Sequence, residues 1–172
     1  MRIYIVSVGN IKEKYLKDAI LEYSKRISKY AKVEFLNTYD EPISDNASLK
    51  DEENIKKKEG ERIIKMIPSN SYKIVLDLHG NELDSIELSK KISNIFTYDN
   101  EKIVFIIGGS LGLSKDVIDM ADYKLCFSKM TFPHQLMQVI LLEQIYRSFK
   151  IINNEKYHKW YCDFINLSIC LS

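Results

Sequence analysis

The sequence predicts an α/β protein, a parallel sheet with helices on both faces, and three observations carry that prediction. The runs at residues 1–8, 72–78 (YKIVLDL) and 102–107 (KIVFII) are apolar almost throughout instead of alternating, as strands buried on both faces are. Helical patterns stand between them, so strand and helix alternate along the chain. The 172 residues, 45% of them apolar, suit a single core large enough to offset the entropy of ordering the chain.

The first strand, MRIYIVSV, is stopped by Gly9-Asn10. Between residues 12 and 30 the apolar positions Tyr15, Leu16, Ala19, Ile20, Tyr23 and Ile27 recur every three to four residues, one stripe on a charged cylinder. A second strand follows at residues 33–36, then a loop at 40–48 holding Pro42, Ser44 and Asn46. The stretch 49–67 is rich in acids and bases and reads as a solvated helix held by i,i+4 pairs. After the strand at 72–78, Asp84 with Glu87 three residues on forms a capping box. Beyond the strand at 102–107 come a short helix capped by Ser114, a strand at 123–127 and a long helix at 133–151, which Pro133 starts.

Composition excludes several classes. Cys126, Cys162 and Cys170 are odd in number and form no CxxC pair, so neither a disulfide framework nor a thiolate zinc site is expected. No run approaches the roughly 18–20 apolar residues of a membrane span, and the start lacks a signal-peptide pattern, so we expect a soluble cytoplasmic protein with no metal and no membrane partner. Net charge is +1, but residues 124–159 hold six bases against Glu143 and Glu155, placing +4 there and −3 elsewhere. A basic region of this kind is the ordinary footprint of a phosphate-binding surface.

Open α/β sheets bind ligands beyond the C-terminal ends of their strands. Three loops occupy that position: 77–81 (DLHGN), 108–114 (GGSLGLS) and 128–134 (SKMTFPH). The glycines at 108, 109 and 112 allow close backbone approach, yet GGSLG is neither GxGxxG nor a P-loop, and a ligand-free turn explains it equally well. His79 has no metal-ligand partner at suitable spacing and reads as an ordinary loop histidine. His134, in the first turn of the last helix, projects at the mouth of the expected pocket. That helix is apolar nearly all round, from which we infer a homodimer packed partly on it, an internal core helix being the alternative.

The ordered set GGSLGLS, LCFSKMTFPHQLMQVILLEQIYR and NNEKYHK resembles the ribosomal RNA large subunit methyltransferase H family of the SPOUT superfamily, over nearly the whole chain to Lys159. The resemblance implies a single SPOUT domain at residues 1–159, its C-terminal segment threaded into a trefoil knot that pattern reading alone would miss. It implies S-adenosylmethionine as cofactor, bound by Leu76, Gly108 and the run Phe127, Ser128, Lys129, Met130, Thr131 and Phe132. It also implies a homodimer methylating N3 of a pseudouridine in helix 69 of 23S rRNA on the assembled 70S ribosome. In that framework His134 is the leading base or orienting group, Tyr157 positions the target base, and Arg147, His158 and Lys159 contact RNA.

Family members end near the YHK motif, whereas here residues 160–172 (WYCDFINLSICLS) form an atypical extension. We expect truncation after Lys159 to retain or raise activity. Two other classes compete: a Rossmann-like nucleotide-dependent enzyme, for which Gly9 lacks the required fingerprint, and a non-catalytic ribosome-associated RNA-binding dimer.

Overall fold

The computed structural model describes residues 1–44, 46–99 and 101–157. Five strands, β1 (Arg2–Val8), β2 (Lys32–Thr38), β3 (Tyr72–Glu82), β4 (Lys102–Ile107) and β5 (Tyr123–Cys126), form one sheet in the order β2-β1-β4-β3-β5. Every pairing is parallel. The apolar runs at β1 and β4 lie at the centre, in register from Arg2 opposite Lys102 to Ser7 opposite Ile107.

Helices α1 (Lys14–Ile27), α3 (Ser85–Asn94) and α5 (His134–Ile152) cover one face; α2 (Leu49–Met66) and the short α4 (Lys115–Asp119) cover the other. Because side chains alternate along a strand, β1 sends Ile3 and Ile5 into the first core and Tyr4, Val6 and Val8 into the second. β4 divides likewise, with Phe105 fully buried beneath the three-helix layer.

The capping box of α3 forms as the sequence predicts: Glu87 N–H donates to Asp84 at 2.7 Å and Asp84 N–H to Glu87 at 2.8 Å. Ser48 and Asp51 build a second box on α2. The last turn of α3 widens into a π-helical turn, Ile95–Asp99.

Three sequence expectations are revised. The helix over 49–67 is not solvated all round, because Glu59, Gly60 and Ile63 face inward. The last helix begins at His134, with Pro133 as its cap residue, whose carbonyl accepts the Met137 N–H at 3.0 Å. Much of the apolar surface of α5 packs on α1 and α3 of the same chain, although Leu136 stays 38% exposed, so its composition by itself calls for no second copy.

β3 continues past the expected end at 78. Leu76 and Asn81 both pair with Leu125, so residues 77–80 leave the ladder and return to it. Gly80 permits this, because a Cβ there would lie 2.7 Å from the backbone carbon and oxygen of Lys124.

Candidate active site

The C-terminal edges of β3, β4 and β5 open onto a cavity of about 660 Å³, within the range of small-molecule sites. Residues 76–78, 107–113 and 127–134, with Lys129 excepted, line it together with Leu125 and Met137. The three loops expected from sequence therefore converge. Lys129 instead lines a shallow depression alongside, with Glu82, Asp84 and Glu87.

The floor is a turn that only glycine allows. Gly112 has φ +84° and donates its N–H to the Gly109 carbonyl at 3.1 Å. A Cβ on Gly108 would sit 2.8 Å from the Gly112 carbonyl carbon, so the two passes of backbone touch. Absence of side chains at these glycines lets a ligand approach the peptide groups of the turn.

Two residues of α2 support that turn from below. A Cβ on Gly60 would lie 2.1 Å from Ser114 Oγ, the cap of α4. Glu59, 3% exposed, accepts the Glu41 N–H at 3.0 Å with one oxygen and holds the other 3.3 Å from where a Gly109 Cβ would stand. Burial pushes its carboxyl pKa up; the Glu41 N–H opposes this, while the negative charges of Asp40 and Glu41 add to it. Sequence gave little sign of Glu59 within a charged run, although it stands four residues before the buried Ile63, on the same helix side.

The third wall, residues 127–134, is shaped by Ser128, whose Oγ accepts Met130 N–H at 3.0 Å and whose carbonyl accepts Cys126 Sγ–H at 3.3 Å. His134 is half-buried, its Nε2 3.4 Å from where a Cβ on Gly9 would lie; Gly9 itself has φ +80°. Further bonds fix the start of α5. Gln135 accepts Lys12 N–H at 3.1 Å, and buried Gln138, one turn beyond His134, donates to Ser7 Oγ at 2.9 Å, which donates to Asn37 at 2.9 Å.

The other expected residues lie elsewhere. Arg147 donates twice to Glu143, at 3.0 and 2.6 Å, and its guanidinium stands 4.9 Å from the Tyr157 ring centroid. Tyr157 packs edge-on against Tyr146 at 4.9 Å. Thirteen residues of helix separate Arg147 from His134, about 20 Å at 1.5 Å per residue, so a single chain does not bring these groups to its own pocket. Lys150 is committed to Glu155. His158, Lys159 and the extension lie outside the described residues. Among the described residues no cluster of His, Cys, Asp or Glu could hold a metal ion, and no helix is long and apolar enough to cross a membrane.

Parallel α/β sheets bind ligands beyond the C-terminal ends of their strands, and this largely apolar pocket, with the His134 imidazole in its lining, occupies that place. The chain belongs to the predicted SPOUT methyltransferase family, whose model matches residues 1–158. It is 58% identical over 159 residues to "Ribosomal RNA large subunit methyltransferase H 1" of Clostridium perfringens (strain SM101 / Type A), covering 92% of this chain and 100% of that protein. The homologous enzymes named ribosomal RNA large subunit methyltransferase H from Clostridium beijerinckii and Clostridium tetani are 57% and 55% identical over the same coverage.

Proposed function

We propose that this protein is a ribosomal RNA methyltransferase that uses S-adenosylmethionine to methylate N3 of a pseudouridine in helix 69 of 23S rRNA, acting in the cytoplasm on assembled 70S ribosomes. The convergence of residues 76–78, 107–113 and 127–134, Lys129 excepted, on one pocket with His134 in its lining carries the reading. Family membership and the rRNA methyltransferase relatives support it. The trefoil threading of the C-terminal segment belongs to the same reading.

The residues fit the cofactor. Leu76, Gly108 and residues 127–132 other than Lys129 combine a largely apolar wall with a backbone turn that a Cβ would block, which suits an adenosine held by peptide groups. S-adenosylmethionine, when bound, supplies a methyl already activated as a sulfonium. The protein's task is then alignment and removal of one proton. His134 accepts the N3 proton or orients the ring that carries it. Tyr157 positions the target base, and Arg147, His158 and Lys159 contact RNA. Since Arg147 lies about 20 Å along α5 from His134, with Tyr157 packed beside it and neither in the pocket lining, they serve the pocket of a second copy, and the active form is a homodimer.

The test is mass spectrometry of rRNA from cells lacking this gene, with purified protein added back to their ribosomes. We expect 3-methylpseudouridine to disappear and to return with protein plus S-adenosylmethionine; its persistence in the deletion strain would sink the assignment.

A further inference from the structure

Asp77 stands out in the cavity wall. Among the described residues that line the cavity it is the only carboxylate, and His134 is the only other ionisable group; no Lys or Arg is among them. The nearest basic residue in the third wall, Lys129, lines the adjoining depression instead. Asp77, between Leu76 and Leu78, therefore places a negative charge at the wall of a largely uncharged space, with no Lys or Arg among the described lining residues to offset it.

The fold holds Asp77 there deliberately. It is the first residue of the four that leave the β3 ladder, and its Oδ1 accepts the His79 N–H at 3.1 Å, closing a side-chain turn. That turn leaves Oδ2 for another donor. At the far end of the excursion Gly80 lies close against the β5 backbone, where a Cβ would meet the Lys124 carbonyl at 2.7 Å.

We infer that Asp77 is the charge selector of the cofactor pocket, favouring the sulfonium form of the methyl donor over the neutral thioether left after transfer. The inference rests on the S-adenosylmethionine reading above. The donor carries a net +1, an ammonium and a sulfonium against one carboxylate; the methyl departs with the positive charge of sulfur, and the product is net neutral. A fixed carboxylate in a partly desolvated wall attracts the first more than the second. It stabilises the bound donor more than the transition state, in which sulfur is losing its charge, so it strengthens donor binding and speeds product exchange at a small cost to the chemical step.

Calorimetry of the full chain with S-adenosylmethionine and with S-adenosylhomocysteine tests this. The wild-type protein should prefer the sulfonium, and Asp77→Asn, which keeps an acceptor for His79 N–H, should weaken donor binding about tenfold, about 1.4 kcal/mol, while product binding changes less than about threefold. Asp77→Glu should retain the preference. Asp77→Ser gives a second neutral variant should the asparagine form fail to fold. Equal losses for both ligands, or no loss for either, would overturn the selector role while leaving the methyltransferase reading intact. A wild-type protein that binds neither ligand would overturn both.

Discussion

The two ends of α5 are built from different materials. At the N-terminal end, polar contacts from Gln135 and Gln138 fasten the helix to Lys12 N–H, Ser7 and, through Ser7, Asn37, and His134 opens onto the cavity. At the C-terminal end, rings pack on rings: Tyr30 stacks on Phe149 at 5.3 Å, Tyr146 meets Tyr157, and arginines 26 and 147 lie over Tyr23 and Tyr157. Between them Leu141, Leu142 and Ile145 are fully buried in the core. One helix thus anchors the fold by its middle while its ends present separate surfaces, a hydrogen-bonded one that holds geometry and an aromatic one suited to stacking.

The largest expected effect separates function from folding at the pocket end. His134→Ala should lower methyl transfer to ribosomes by about 10²–10⁴-fold while shifting the thermal midpoint little; a full-rate variant would remove His134 from the chemistry. In the middle of the helix the balance should reverse. Leu141→Ala is expected to cost about 2–5 kcal/mol, read as a lowered denaturant midpoint with donor affinity of the remaining folded protein unchanged.

Gln138→Leu sits between these cases. It deprives Ser7 of its donor and should cost about 1–3 kcal/mol, and because Gln138 stands one turn from His134 it should also slow turnover. A stability loss without a rate loss would show that the polar fastening does not orient the pocket end.

The smallest effect is a control away from both ends. The pKa of Glu59 is raised by burial, so the native state keeps this proton to higher pH than the unfolded chain does. Its stabilisation is complete below the ordinary carboxyl range and is lost as pH rises through the raised value. Glu59→Gln should therefore gain about 1 kcal/mol relative to wild type at pH 8 and almost nothing at pH 4, measured by urea denaturation at both pH values. An equal gain at both would deny that the native carboxyl is burdened by its charge.

Much of this architecture could be read from pattern. The apolar runs of β1 and β4 announce central parallel strands, and Asp84 with Glu87 announces its helix, because local chemistry decides both. The pocket loops were legible because each follows an apolar run. What was hidden depends on contacts distant in sequence. The return of β3 at Asn81 is set by Leu125, and the buried side of α2 by the glycine turn it supports. Arg147 shows the same limit in charge: the basic excess of residues 124–159 contains it, but its pairing with Glu143 appears only in three dimensions.

The separation of the two ends of α5 makes a claim about assembly, that each active site joins His134 of one chain to the Tyr157 end of another. Mixing inactive His134→Ala protein with inactive Tyr157→Ala protein under conditions that exchange subunits tests it. In each mixed dimer one pocket would have both groups and the other neither, so ribosome methylation should recover to about a quarter of the wild-type rate. No recovery, with mixed dimers demonstrated by mass spectrometry, would contradict the account.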